Sequence, residues 1–246
     1  MSRQGRGGRA LFALFVYNEG KRLAQTLARF PVDLPADQDF DILLVDDGSD
    51  DGFTDSLPEH IAVLRNERNL GLGASIKRAF RYALEHDYDV IGIMAGNGKD
   101  DPAEIPRLLA PLKDPDVDFV QGSRFLPGGA HTNMPFHRVV ATKIVHPLLF
   151  ALMARQRVTE TTNGFRAFRT TILGDPRLDW EQDWLDLYEL EQYVQFKAAE
   201  LGYRRVEVPV SKSYPPRGEA YTKVKPLSGW WSMIKPIVYL GLKVRR

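Results

Sequence analysis

Apolar residues recur along this chain in two rhythms. Unbroken apolar runs of strand length alternate with segments in which apolar positions fall three and four apart. The run "ALFALFV" at Ala10–Val16 predicts a first strand, and residues 21–30 a helix. "DILLVDD" at 41–47 and "IAVLRN" at 61–66 predict two more strands. Residues 71–86 place Leu72, Ile76, Ala79, Phe80 and Ala83 on one helical stripe. A strand at 90–94, a helix at 102–112 and a strand at 119–121 follow. Asp101 ahead of Pro102 and Glu104 makes a good N-cap for that helix. Strands alternating with helices in this order predict parallel βαβ units with right-handed crossovers.

The second half is less regular. Helices are predicted at 138–155 and 184–201, and strands at "GFRAFR" and 204–210. The stretch from 211 to 246 differs in composition: from Lys223 onward it holds six basic residues and no acidic one, interleaved with Trp230, Trp231 and Tyr239. Two readings stand for this tail, a helix packed on the core and a helix lying on an anionic bilayer with its indoles at headgroup level. The expected organisation is therefore a domain over 1–210 and a C-terminal tail over 211–246.

Composition narrows the class. At 246 residues, 43% hydrophobic and 26% charged, the chain is long enough for a substantial core. A formal charge of +1 gives no electrostatic footprint for nucleic acid. With no cysteine there is no disulfide, thiolate metal site or cysteine nucleophile. The basic N-terminus before an apolar run resembles a signal peptide, but the run is short and ends in Asn18-Glu19, as a core strand would. No run of about eighteen apolar residues is found, so no membrane span is expected. The expected location is the cytoplasm, with peripheral attachment to the inner face of the cytoplasmic membrane as an extension.

In an open parallel sheet, ligands bind beyond the carboxyl ends of the strands. Those ends read Tyr17-Asn18-Glu19, Asp46-Asp47-Gly48-Ser49, Arg65-Asn66 and Gly96-Asn97-Gly98-Lys99. Carboxylates there accept from ribose hydroxyls or a base N–H, and glycines admit a flat base or a diphosphate.

Six ordered motifs, "FVYNEG", "LLVDDGSDDGFTD", "NLGLGASIKRAF", "GKDDPAEIPRLL", "QGSRFLPGG" and "TTNGFRAFR", resemble the inverting family 2 glycosyltransferases, nearest to the dolichyl- or polyprenyl-phosphate mannose and glucose synthases. The likeness covers about residues 9 to 210, with a looser echo at Tyr221 to Lys223. It implies an α/β GT-A fold with a mostly parallel central sheet and flanking helices. It also implies a UDP- or GDP-sugar donor and inverting transfer to a polyprenyl-phosphate-type acceptor.

Carried over by position, the resemblance assigns the donor nucleoside to Tyr17, Glu19, Asp46, Asp47, Gly73 and Asn97, although Phe15 replaces the family's usual proline. It assigns the acceptor phosphate to Arg124, Arg138, Thr142 and Lys223, and puts Glu160 where the family often has Asp. The departure is after the strand at 90–94. The family's Asp-x-Asp falls on Ala95-Gly96-Asn97, and a usual metal-side Gln falls on Lys99. Asn97 alone offers a metal one neutral oxygen, so a Mg²⁺ or Mn²⁺ site is expected to be weak or absent. The leaving diphosphate still needs a cation, and Lys99 supplies one; the plain alternative is a solvated lysine paired with Asp100.

Catalysis is thus expected from Lys99, Asn97, Arg124 and Glu189. Glu189 and Glu191 are both candidates for a base facing the acceptor, against a solvated helix face. His137 and His146 read better as helix-end residues than as metal ligands. Partners are a nucleotide sugar, polyprenyl phosphate with its membrane surface, and a second copy of the chain. Two other functions stay open: transfer to a soluble glycan or small molecule, and nucleotide-sugar binding without catalysis.

Overall fold

A computed structural model of the chain describes residues 8–30, 40–53, 57, 61–216 and 228–245. Seven strands form one sheet in the order β3-β2-β1-β4-β7-β5-β8. These are β1 (Ala10–Val16), β2 (Phe40–Asp46), β3 (Ala62–Arg65), β4 (Val90–Ala95), β5 (Phe119–Ser123), β7 (Arg166–Arg169) and β8 (Arg205–Pro209). The neighbours are parallel except β7, which runs antiparallel to both β4 and β5. The sheet is the mostly parallel one expected, and "GFRAFR" supplies its single reversed strand.

Register brings the strand ends level. Val16 lies opposite Asp46, Asp46 opposite Arg65, and Phe15 opposite Ala95. The ladder continues past the strands through Asp47 N to Val16 O at 2.9 Å, Asn66 N to Asp46 O at 2.8 Å and Gly96 N to Phe15 O at 3.0 Å. The polar tails of β1 to β4 therefore leave the sheet at one edge.

Alternating side chains fill a core on each face. One contains Leu11, Phe80, Ile91, Phe119, Phe168 and Tyr193; the other Phe12, Leu14, Met94, Ile105 and Phe165. Full burial of such side chains contributes roughly 1.5–3 kcal/mol each. Helix α1 (Gly20–Leu27) and the short α3 (Ile105–Leu109) lie on the second core, through Leu23 and Leu108. Helices α2 (Leu72–Glu85) and α6 (Glu189–Glu200) cover the first.

Three elements depart from the sequence pattern. The helix expected at 102–112 is broken into 3-10 turns on both sides of α3, where prolines at 106 and 111 interrupt the ladder. Its cap holds: Asp101 accepts from Ala103 N at 3.1 Å. The helix expected from 184 starts at Glu189, behind a 3-10 turn at Asp183–Leu185. The helix at Phe136–Ala154 is built from α4 (Phe136–Val140), a π turn at Ala141–Val145 and α5 (His146–Ala154).

The Phe136–Ala154 helix is the one described element that reaches the length of a membrane span. Its 19 residues, of mean hydropathy 1.2, are long and apolar enough to cross a membrane by length and composition. Arg138 and Lys143 interrupt its apolar run near the start, so no unbroken apolar stretch marks it in the sequence. Much of its surface lies outside the core, with Phe136 81%, Leu148 67% and Leu152 70% exposed.

The C-terminal stretch packs on the domain. Strand β9 (Ser211–Ser213) pairs parallel with β6 (Ala130–Thr132), and Tyr214 is buried. Helix α7 (Ser228–Gly241) places Ile237 and Leu240 in the first core, while Trp231 on the same helix is 48% exposed.

Candidate active site

The β1 and β2 ends are tied to one another. Asn18, in the left-handed region at φ 50, donates its N–H to Ser49 Oγ at 2.9 Å and accepts from Asp50 N at 3.0 Å. Ser49 donates N–H and Oγ–H to Asp46 Oδ1 at 2.9 and 2.5 Å. Asp46 Oδ2 faces Arg65 Nε at 3.5 Å. Asp47 works on the protein's own chain: Asn66 Nδ2, Leu70 N and Gly71 N donate to it at 2.7, 2.8 and 3.0 Å. Tyr17 sits at the rim, and the Glu19 carboxylate meets Arg22 at 3.0 Å.

Gly73 sits at the start of α2, as the resemblance implied, and neighbouring backbone fills its side-chain space. A Cβ on Gly73 would stand 2.0 Å from Leu185 O and 2.6 Å from Leu187 O. Its missing side chain admits the 185–187 backbone, which also accepts from Ala74 N at Asp186 O, 3.0 Å. Gly73 is a packing glycine between α2 and the approach to α6.

After β4, the Asn97 side-chain oxygen accepts from Lys99 N at 3.3 Å, closing a turn through Gly98 at φ 76. Ala95, Gly96, Asn97 and Lys99 do not fit a divalent ion, since one neutral oxygen is all they offer through side chains. Among the described residues, no group of three His, Asp or Glu side chains is placed to hold one.

The paired-with-Asp100 reading of Lys99 does not match the geometry. Lys212 from β9 takes both Asp100 oxygens at 2.7 and 3.0 Å. The Lys99 ammonium lies 5.7 Å from the Tyr214 ring centre, and the Arg138 guanidinium lies 5.4 Å from that same ring. Burial, with the charges of Lys212 and Arg138, pulls the Lys99 pKa down to about 8, against the opposing pull of Glu19 and Asp100.

Arg124 follows β5 and requires a correction. Expected to grip an acceptor phosphate, it is 3% exposed and bonded throughout to protein. Its Nε donates to Glu160 Oε2 at 2.8 Å, one terminal nitrogen to Tyr214 OH at 2.6 Å and the other to Thr162 Oγ at 2.9 Å. Burial is the largest single influence and opposes its charge, but Glu160, Tyr214 and Asp100 together outweigh it and the pKa is raised. Arg124 therefore orients Tyr214.

Thr142 is likewise turned inward: its hydroxyl donates to Arg138 O at 2.8 Å, a bond within the helix. Lys223 lies outside the described residues. Glu189 faces away from the strand ends, its carboxylate bonded to Lys235 of α7 at 2.6 Å. Glu191, two residues on, is the one directed at the site. It lies 3.9 Å from Arg166 and so close to Gly164 that a Cβ there would meet Glu191 Oε1 at 2.6 Å. Burial raises its pKa, against Arg166 and Lys212. His146 is buried with its pKa lowered to about 4 by desolvation, and His137 stacks on Trp230. Among the described residues, neither belongs to a group of three side chains that could hold a metal.

Sequence reasoning passed over Tyr214 and Lys212. Their signal was only that an aromatic and a basic residue follow directly on a predicted sheet strand.

The sequence model of Glycosyl transferase family 2 matches residues 12–175. The chain is 34% identical over 209 residues to the undecaprenyl-phosphate mannosyltransferase of Micrococcus luteus, covering 82% of this chain and 83% of that one. It is 30% identical over 210 residues to the polyprenol monophosphomannose synthase of Mycolicibacterium smegmatis, covering 82% and 77%. Glucosyl-3-phosphoglycerate synthase from Mycobacterium tuberculosis, solved with Mn²⁺, UDP and glucosyl-3-phosphoglycerate, shares the fold with a TM-score of 0.66. That match spans 96% of this chain and 80% of the other at 17% identity.

Proposed function

The chain belongs to glycosyl transferase family 2, and from that membership we propose that it moves a sugar from a nucleotide-sugar donor to a polyprenyl phosphate at a membrane surface. The observation that carries this reading is the meeting of Lys99 and Arg138 on the one ring of Tyr214. Lys99 comes from the loop after β4, where the donor's diphosphate would lie, and Arg138 from the helix that leads to an exposed apolar face. Two phosphate-seeking cations are thereby held beside one another, as a reaction between two phosphorylated substrates requires.

The chemistry follows from charge. An oxygen of the acceptor phosphate attacks the anomeric carbon from the face opposite the diphosphate. The bond from that carbon to the diphosphate oxygen breaks, and the nucleoside diphosphate leaves with the electron pair. Configuration inverts. The acceptor oxygen is already ionised at neutral pH, so positioning and charge stabilisation supply the rate and no strong base is needed. Lys99 meets the charge that develops on the leaving group. The β4 loop does not fit a metal, so no step is assigned to one. The nucleoside sits against Tyr17 and the Asp46 edge, with Asp47 holding the glycine loop beneath it.

The face formed by Phe136, Leu148 and Leu152, with Trp231 exposed on α7, suits the headgroup boundary of a bilayer. This favours a lipid acceptor over a soluble one. Glu191 gives the alternative its specific support, because a hydroxyl acceptor needs a base and a carboxyl with a raised pKa at the site supplies one.

Purified protein is incubated with a panel of UDP- and GDP-sugars, with and without polyprenyl phosphate in detergent micelles. Turnover that requires the lipid phosphate supports the proposal. Turnover onto a soluble acceptor instead replaces it with the second reading. Donor binding without any transfer overturns both.

A further inference from the structure

Lys99 is followed directly by two carboxylates, and each has a separate engagement. Asp101 caps the turn after it. Asp100 is buried, and its two oxygens accept from Lys212 Nζ at 2.7 and 3.0 Å; the same ammonium donates to Asn163 Oδ1 at 2.9 Å. The backbone fixes this arrangement from both sides. Asp100 and Lys212 form an antiparallel bridge, and Ser213 N donates to Lys99 O at 2.8 Å. Strand β9 is thus clamped to the β4 loop at the residues flanking Lys99. The buried Asp100 carboxylate needs a partner, since an unpaired buried charge is strongly destabilising, and with Glu19 it also attracts the Lys99 ammonium. Here a residue 112 positions away has taken that place.

We propose that Lys212 is a positioning residue, which engages Asp100 so that this carboxylate cannot draw the Lys99 ammonium away from the donor's diphosphate. The inference rests on the transferase reading above. It adds a specific logic to a site whose β4 loop does not fit a metal. Engaging Asp100 elsewhere removes one carboxylate that would compete with the diphosphate for the Lys99 ammonium. The low pKa of Lys99, caused by burial and by Lys212 and Arg138, accords with an ammonium crowded by other cations.

The test uses the full chain, the nucleotide sugar from the panel that the wild type turns over fastest, and polyprenyl phosphate in micelles. In Lys212→Met, Asp100 turns to Lys99, and kcat/KM for the donor falls about tenfold or more, as coupled neighbours in one ion-pair network do. Lys212→Arg keeps Asp100 engaged and retains most activity. The deciding variant is Lys212→Met with Asp100→Asn, which removes the captured and the capturing charge together and brings kcat/KM back to within a few-fold of wild type.

A merely structural pair would recover in the double variant too, so Lys212→Met must also lose donor kcat/KM while circular dichroism shows it folded at the assay temperature. A loss that tracks unfolding, or a double variant as impaired as the single one, overturns the proposal. If the single variant melts below the assay temperature, kinetics are run below its midpoint, where a donor kcat/KM within a few-fold of wild type sinks the inference and a tenfold loss in folded protein supports it. Lys212→Met at full activity overturns this inference and leaves the transferase reading intact. A wild type that transfers no sugar overturns both.

Discussion

Two cations at the ends of the strands flanking β7, Arg124 after β5 and Lys99 after β4, have different surroundings. Arg124 is enclosed by acceptors from the protein: Glu160, Thr162 and the Tyr214 hydroxyl. Burial, then Lys212 and Arg138, disfavour the Lys99 charge where it lies, against the pull of Glu19 and Asp100. Both touch Tyr214, one through its hydroxyl and one through its ring face. A cation whose donors are all taken by buried protein acceptors serves the fold, whereas one whose charge is disfavoured where it lies gains by meeting an anion. Charge type alone, which is all a sequence motif reports, does not separate the two.

The comparison breaks most readily at Arg124. Arg124→Ala leaves the Glu160 carboxylate buried and unpaired, which costs about 3–5 kcal/mol of stability. Thermal or denaturant unfolding reads this directly, and an unchanged midpoint would contradict a structural role. Lys99→Ala produces the reverse. The fold persists, while loss of the charge that meets the leaving diphosphate lowers kcat by roughly 10²–10³, the scale of one preorganised electrostatic group. Steady-state kinetics beside a circular dichroism spectrum checks both halves.

Arg138 lies between these cases. It is half-buried at the helix surface, so Arg138→Ala is expected to change stability little. It should worsen kcat/KM for the acceptor about ten- to a hundredfold, the worth of one charge-assisted hydrogen bond. Donor KM stays near wild type; an equal loss on the donor side would remove Arg138 from the acceptor site.

The charge cost at Lys99 also has a sign in pH. Its folded pKa, about 8, lies below the value of 10.5 for the unfolded chain. The folded state therefore gives up its proton first, and stability contributed by this group rises between about pH 8 and 10.5. Lys99→Met removes the cost and should stabilise the protein at pH 7 by about 1–3 kcal/mol, a gain that shrinks as pH approaches 10.5. A variant both inactive and more stable would be the signature of strain kept for function. The smallest expected effect is that of EDTA: transfer continues at close to its full rate. Activity that vanishes with EDTA and returns with Mg²⁺ or Mn²⁺ would displace Lys99 as the leaving-group cation.

The sequence by itself determined the sheet, the strand ends that carry polar residues and the family. Each of these rests on local signals: apolar run length, turn chemistry and capping, as at Asp101 and Pro102. It also isolated the β4 loop, because two missing carboxylates and a gained lysine are visible in ten consecutive residues. Tertiary structure alone decided which charges meet. Arg124 and Glu160 are 36 residues apart, Asp100 and Lys212 are 112 apart, and Tyr214 gathers Lys99, Arg124 and Arg138 from three separate segments. Glu189 and Glu191 show the same limit at short range. Two residues along a helix turn a side chain by about 200°, and only the packing of α7 on α6 sends Glu189 to Lys235 and leaves Glu191 at the site. Periodicity is a property of a segment and can be read along the chain, whereas pairing depends on where separate segments are brought together.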